Sequence, residues 1–475
     1  MFLCFILQPQ LAAMKKGITL ISFLIISLFV FAQEKGAIVA GPMLGFIELR
    51  TAKIWCEVSP QTQKVSISYW KTGTTSSSKT IRYKGELGQD FNPIQFDIGG
   101  LDINTTYQYE ITAIANQKSY KASGKFKTSD LWQYRKNFPD FSFLTGSCAY
   151  FNEPAVDRQN NELIDPHTPA KPYGGDSSIF ETMAKENAAF TLWLGDNWYY
   201  REVDYSSNWG MSYRASLTRK LPVLQNLMKA MPQLAIWDDH DYGSNDADKT
   251  FPFKDQSLKI FKDYWPNPSY GQDGVGTYTK FSYSDVEFFL MDDRWFRSND
   301  KMAATVDGKP NPEKRMWGPK QMDWLKNALS NSSADFKIIV TGSQTLNPVS
   351  PFDCLQSYPI EFNELMDFLD KQKVTGVLFF TGDRHHSEVI KFPRPETYPL
   401  YDVTSSPFTS GIAAPSKQEE NNPARVPGTL VVAQNYTRVT VSGAPRDRKL
   451  KIEFLGIKGE KLAEWSVGAN ELKAK

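Results

Sequence analysis

The chain has 475 residues, of which 41% are hydrophobic, 23% charged and 13% aromatic, and its formal net charge is +1 at pH 7. That length exceeds what one hydrophobic core usually holds, so at least two domains are expected. A charge balance this close to neutral gives no electrostatic ground for a nucleic-acid groove or a strongly acidic partner, and the composition leaves no low-complexity tract to argue for disorder.

The N-terminus reads as a targeting signal. Lys15-Lys16 forms a basic n-region, Ile18 to Phe31 is almost wholly apolar, and Ala32-Gln33-Glu34 turns polar. This matches a secretory signal peptide that begins at Met14 and takes up residues 1–33. The mature chain is therefore expected to be exported, periplasmic or extracellular, with no membrane span once the leader is removed. Of four cysteines, Cys4 falls in the leader. Cys56, Cys148 and Cys354 remain, and an odd number leaves at least one thiol unpaired.

Residues 36–128 read as all-β. Thr51–Val58, Lys64–Lys71, Lys79–Gly85, Ile94–Gly99, Thr106–Ala115 and Ser119–Lys127 alternate apolar with polar residues or are rich in β-branched and aromatic ones, at short regular spacing. Leu101 to Glu110 is similar to a late strand of a fibronectin type III-like sandwich, where a tyrosine packs at the sheet corner. Cys56 falls at an inward position of its strand, as a small core residue. No His, Cys or carboxylate cluster occurs here, which suits a structural or docking domain.

After a polar connector, Leu131–Asp140, the pattern turns α/β and stays so over a second domain, residues 138–475. Strands are expected at Phe141–Thr145, Phe190–Leu194, Gln233–Trp237, Val286–Met291, Phe336–Val340, Val377–Phe380, Tyr398–Val403, Thr437–Val441 and Lys449–Phe454. Helices are expected over Ser177–Asn187 behind an Asp176 cap, Leu217–Met231, from Gly318, and Glu361–Lys371. Five of the apolar strands end in ligand-type residues: Cys148, Asp196, Asp239 with His240, Asp292 with Arg294, and Asp383 with His385. One polar strand end means only that the chain leaves the core. Five such ends carrying Cys, Asp, His and Arg are hard to explain by chain exit alone, and open α/β sheets bind ligands at the carboxyl ends of their strands.

The donor types set the chemistry. The chain has only four histidines, His167, His240, His385 and His386, and three of them lie in these motifs. Asp196 and Asp383 are hard oxygens, Cys148 offers a thiolate, His385 a nitrogen, and a deprotonated Tyr199 favours Fe(III). Asp239 and Asn245 add anionic and neutral oxygens. The mixture suits a soft or trivalent metal beside an oxygen-liking one. Such a pair, about 3.5–4 Å apart, clamps a phosphoryl group, with one metal activating a water or hydroxide. Arg294 and Arg297 are candidates to bind the substrate's non-bridging oxygens, and His240 to bind phosphate or give a proton to the leaving oxygen. A Ser/His/Asp hydrolase fits less well, since Gly146-Ser147 lacks the nucleophile-elbow pattern. Thr404-Ser405-Ser406-Pro407 ends a further strand and either lines the pocket with hydroxyls or simply turns the chain.

Gly146-Ser147-Cys148, Leu194-Gly195-Asp196-Asn197-Trp198-Tyr199, Trp237-Asp238-Asp239-His240-Asp241 with Asn245-Asp246, Asp292-Asp293-Arg294, Gly382-Asp383-Arg384-His385 and Gly318-x-x-Gln321-x-x-Trp324-Leu325 occur in this order. Over about Phe141 to Ser406 the set resembles the PhoD-like branch of the metallophosphatases, the alkaline phosphatase D family. The resemblance implies an N-terminal fibronectin type III-like sandwich followed by a four-layer αββα metallophosphatase domain holding Fe(III) and Ca²⁺. By that likeness Cys148, Asp196, Tyr199 and His385 hold the iron. Asp196 bridges to calcium, with Asp239, Asn245 and Asp383 as its other candidates and Asp238 as the alternative to Asp239. Arg294 and His240 face the phosphate. The implied activity is hydrolysis of phosphomonoesters or phosphodiesters. The alternatives are a phospholipid-directed phosphodiesterase and a non-catalytic surface binding protein on a decayed phosphatase scaffold.

Overall fold

A computed structural model describes residues 36–159, 162–163, 172–445 and 447–475. The proposed leader and His167 lie outside the described residues. Among the described residues no helix is long and apolar enough to cross a membrane.

The N-terminal region is built of seven strands: β1 (Ile38–Ile47), β2 (Thr51–Val58), β3 (Thr62–Lys71), β4 (Lys79–Arg82), β5 (Asn92–Gly99), β6 (Thr106–Ala115) and β7 (Lys118–Lys127). They form two antiparallel sheets, ordered β1-β2-β5 and β4-β3-β6-β7. Alternation along β5 and β6 sends Ile94, Phe96, Ile98, Tyr107, Tyr109 and Ile111 into one core with Cys56. Tyr107 Oη, at the start of β6, accepts the backbone N–H of Asp102 at 2.9 Å across the corner that leads into that strand. Sequence patterning misses β1, because Gly41-Pro42 and Gly45 interrupt its alternation.

This region is bonded to the rest of the chain by buried and partly buried polar contacts. Ser216 Oγ donates to Glu57 at 2.5 Å, Trp55 Nε1 donates to the Asp263 carbonyl at 2.9 Å, and the Gly41 N–H donates to Gln225 at 3.0 Å. Ala40, Met43 and Trp55 pack in the same cluster as Tyr264 and Trp265 of the second region.

The second region begins with β8 (Phe141–Gly146), followed by a two-residue ladder of β9 (Arg158–Gln159) and β10 (Glu162–Leu163). Then come α1 (Ile179–Met183), β11 (Thr191–Leu194), α2 (Asn208–Arg219), α3 (Pro222–Ala230), β12 (Gln233–Ile236), α4 (Asp239–Tyr242) and α5 (Lys254–Tyr264). β13 (Thr279–Tyr283), β14 (Val286–Leu290), the hairpin β15 (Thr305–Val306) and β16 (Lys309–Pro310), α6 (Gly318–Ser330) and β17 (Phe336–Val340) follow. The chain ends with α7 (Pro359–Lys371), β18 (Val377–Thr381), β19 (Glu388–Phe392), β20 (Leu400–Thr404), β21 (Tyr436–Ser442), β22 (Lys449–Leu455) and β23 (Lys461–Gly468).

Two expected helices differ. Leu217–Met231 is two helices, because Pro222 lacks an N–H and starts α3 where a continuous helix would need its bond. Ser177–Asn187 contracts to α1: Lys185 and Glu186 donate to Thr182 and Met183 in tight i→i+3 turns, which return the chain toward β11.

Two six-stranded sheets result, ordered β12-β11-β8-β21-β22-β23 and β13-β14-β17-β18-β20-β19. β12, β11 and β8 run parallel, as do β14, β17, β18 and β20. Phe143 and Phe190 of the first sheet's side meet Phe288 at 5.2 and 5.4 Å between ring centres, so the sheets share one core. The opposite face of the first sheet carries Leu144, Trp193 and Ala235, which pack with residues of α1, α2, α3 and α5. The parallel strands of both sheets deliver their carboxyl ends to one region.

Candidate functional site

Each ligand-type residue follows a strand whose burial fixes where the chain emerges. What happens next costs backbone energy. Cys148, Asp196, Asp383 and His385 all have positive φ, at 61°, 54°, 68° and 58°. For residues with a Cβ this left-handed conformation is uncommon, and it costs on the order of 1–3 kcal/mol each. The surrounding packing enforces it. Gly195 has φ of 95°, and a Cβ there would lie 2.6 Å from Asp238 Cβ. A Cβ on Gly382 would lie 2.7 Å from the Leu194 carbonyl. The strand ends of the two sheets are thus pressed together, and the side chains turn into the gap.

Three groups of acidic, His or Cys side chains among the described residues stand close enough to share a cation. They are Cys148 with Asp196 and His385, Asp196 with Asp239 and His240, and Asp246 with Asp300 and Asp353. The first two groups share Asp196. Its Oδ2 accepts Tyr199 Oη at 2.9 Å and lies 3.5 Å from Cys148 Sγ. Its Oδ1 accepts the His240 N–H at 3.3 Å. Tyr199 Oη is 3.5 Å from His385 Nε2, and the Tyr199 ring lies flat on His240 with centroids 4.1 Å apart. Cys148, Asp196, Tyr199, Asp239, His240 and His385 are therefore brought together.

The electrostatics of this cluster call for positive charge. Burial, then Asp239, Asp241 and Asp383, push the Asp196 carboxyl well above the carboxylate range. Burial and Asp196 raise the Cys148 thiol and the Tyr199 phenol. Burial, Asp353 and Asp239 push Asp383 up to about 7. Burial and His240 lower His385 to about 4, which keeps its imidazole neutral and its lone pair available at neutral pH. Asp239 alone is held low: burial opposes this, but His240 and Arg294 outweigh it. Buried acidic groups repelling one another around a neutral imidazole are what bound cations reverse.

Asp238 and Asp239 turn to different partners. Asp239 faces Asp196 and His240, whereas Asp238 Oδ1 accepts Arg294 Nε at 2.5 Å. Asp241 caps backbone: its oxygens accept the N–H groups of Asn197, Trp198 and Asp238 at 2.8, 3.3 and 3.1 Å. Asp292 likewise accepts Trp237 Nε1 and the N–H groups of Thr277, Arg294 and Trp295. Asn245 is exposed and turns its amide to Asp246, whose N–H donates to Asp239. His386 points to the Ala413 carbonyl and Glu388. Arg294 and Arg297 are fully buried, and both are ion-paired to Asp353, at 2.8 and 2.6 Å.

Four contributors escaped the sequence reading. Tyr173 Oη lies 3.3 Å from His385, and Tyr150 packs edge-on to Tyr199. Arg201 Nη1 donates to the Tyr199 carbonyl at 2.6 Å and so fixes that residue's backbone. Asp353 holds the two arginines. None of the four follows a strand end directly, so the signal that marked the others was missing. Ser406, left open between pocket lining and turn, donates to Cys148 Sγ at 3.2 Å and accepts the His385 N–H at 3.0 Å. The unpaired-thiol expectation holds, since Cys56, Cys148 and Cys354 are all free and buried.

A family model described as PhoD-like phosphatase matches residues 143–453, about two thirds of the chain. Alkaline phosphatase D of Bacillus subtilis (strain 168) is 23% identical over 342 residues, covering 62% of this chain and 53% of that protein, so the match spans about half the length of that curated relative. A solved structure described as that of PhoD superposes with a TM-score of 0.72 at 17% identity, covering 93% of this chain and 92% of that one. At that identity the superposition shows a shared fold.

Proposed function

The chain belongs to the PhoD-like phosphatase family, and from that premise we propose that it is an exported, metal-dependent phosphoesterase acting on phosphomonoesters or phosphodiesters. The observation that carries the metal dependence is the position of Asp196, which belongs to both ligand groups and could serve a cation in each. The donor sets fit two different cations. Cys148, Asp196, Tyr199 and His385 would hold Fe(III), the thiolate and phenolate suiting it. Asp196, Asp239 and Asp383 offer the hard oxygen donors that Ca²⁺ takes, whereas the Asn245 amide is engaged with Asp246. When bound, two such ions offset phosphoryl charge and acidify a coordinated water.

The chain's own residues supply the rest. Arg294 and Arg297 recognise phosphoryl oxygens through bidentate guanidinium bonds. His240, stacked on Tyr199, protonates the leaving oxygen. Tyr150 and Tyr173 pack around Tyr199 and limit water around His385. The two sheets with helices on their outer faces support the four-layer αββα reading, and the corner tyrosine supports a fibronectin type III-like sandwich. Export rests on the leader pattern at Lys15 to Ala32.

A second reading, a phospholipid-directed diesterase, is favoured by two exposed apolar side chains on loops at the site. Phe352, 60% exposed, packs on Arg384 beside Asp383, and Ile412, 51% exposed, follows Gly411, which abuts Tyr173.

The deciding experiment measures bound metals, the visible spectrum and turnover of aryl phosphomonoester, aryl phosphodiester and phospholipid substrates on the purified protein. Iron with a tyrosinate charge-transfer band, changed in Tyr199→Phe and Cys148→Ser, is expected together with turnover. A colourless protein that stays inactive after refolding with iron and calcium would sink the reading.

A further inference from the structure

Arg294 and Arg297 meet on a single atom. Arg294 Nη2 lies 2.8 Å and Arg297 Nη2 2.6 Å from Oδ2 of Asp353. Each arginine has a second close carboxylate, Asp238 at 2.5 Å for Arg294 and Asp300 at 2.7 Å for Arg297, and Arg294 has Asp239 farther off at 3.9 Å. Each also keeps a buried N–H group with no hydrogen-bond partner among the described residues, Nη1 of Arg294 and Nε of Arg297. A guanidinium presents five donors in a rigid fork, and one shared carboxylate oxygen leaves such forks underfilled. A phosphoryl group brings several oxygens and more charge to the same place.

The two guanidinium groups favour Asp353 as an anion, but it stands among other acidic groups. Oxygens of Asp246 and Asp300 stand within 4.8 Å in the same acidic group, and Asp239 of the proposed metal cluster is 3.9 Å from Arg294 Nη2. The residue comes from the segment 348–354, between β17 and α7, outside both sheets and all helices of eight residues or more. Its neighbour Phe352 is largely exposed.

We propose that Asp353 is an internal anion that occupies the phosphate position between Arg294 and Arg297, and that a phosphate ester or inorganic phosphate displaces it. The proposal rests on the phosphoesterase reading and adds to it a built-in competitor. Binding then exchanges one anion for another at two buried guanidinium groups, so neither arginine has to be left uncompensated between turnovers. Displacement swings segment 348–354 outward and frees the unfilled donors for the incoming oxygens.

The test is the inhibition constant of inorganic phosphate, with the KM for an aryl phosphomonoester, on the metal-loaded enzyme. Asp353→Asn keeps the shape and removes the competing charge, so phosphate should inhibit about tenfold more tightly and KM should fall in parallel. Unchanged or weaker inhibition in a folded Asp353→Asn enzyme overturns the proposal and makes Asp353 a residue that positions the arginines. Hydrogen exchange on the wild-type enzyme decides the matter independently of how the variant folds. Amides of 348–354 should exchange faster under saturating phosphate, and equal or slower exchange overturns the proposal. A wild-type enzyme that neither turns over the ester nor is inhibited by phosphate would instead defeat the phosphoesterase reading, and this proposal with it.

Discussion

The two halves of the site are stabilised in opposite ways. On the ligand side, Cys148, Asp196, Asp383 and His385 sit in left-handed backbone, and several acidic groups repel one another in a buried space. On the arginine side, Arg294 and Arg297 are equally buried, but carboxylates already surround them. The ligand half is incomplete as protein alone, while the arginine half is close to self-sufficient. Metal loading should therefore govern the first half, and ion-pair integrity the second.

The largest expected effect comes from the atom both ligand groups share. Asp196→Asn should release both metals and lower turnover by about a thousandfold or more, read by metal analysis beside activity. Loss of one metal with the other retained would break the bridging assignment. Next is Arg294→Ala, which strands Asp238 without its cation and leaves Asp353 with Arg297 alone. It should cost about 3–5 kcal/mol of stability as well as phosphate affinity, measured by denaturant titration. If stability is unchanged while KM rises, the arginine half is not a self-sufficient unit.

A smaller effect is expected at Ser406, whose hydroxyl donates to Cys148 Sγ. Ser406→Ala should weaken iron binding by about 10–100-fold with the calcium site spared, measured by chelator competition. The smallest is a pH effect in chelated protein. Because Asp383 is pushed up to about 7, the folded chain holds this proton more tightly than the unfolded chain. Its contribution to stability therefore falls as pH rises between about 4 and 7. Asp383→Asn should melt a few degrees above wild type at pH 8, and that gain should vanish by pH 4. A gain that grows on acidification would reverse the sign and the argument.

Much of the ligand half was legible because an apolar run followed by a lone Asp, Cys or His locates a strand end, and parallel strand ends converge. That logic placed Cys148, Asp196, Tyr199, Asp239 and His385 in one cluster. The same reading also puts Asn245 there, but in the fold its amide faces Asp246 in an exposed loop. The arginine half was half legible. Arg294 follows β14, but its partner Asp353 lies on a segment with two prolines and no periodicity, and only the tertiary fold brings it to the guanidinium. Helix limits failed for local reasons: Pro222 begins a helix where apolar spacing alone reads straight through.

The bonds from Glu57 to Ser216 and from Trp55 to Asp263 have a consequence for proteolysis. The connector Leu131–Asp140 is mostly exposed and without regular structure, the kind of segment that proteases nick first. A single cut there would break the covalent chain and leave the two fragments clasped through the Trp55 and Glu57 seam. The nicked protein should run as one species under native conditions and as two only after denaturation, with the loop that carries Asp196 still held in place.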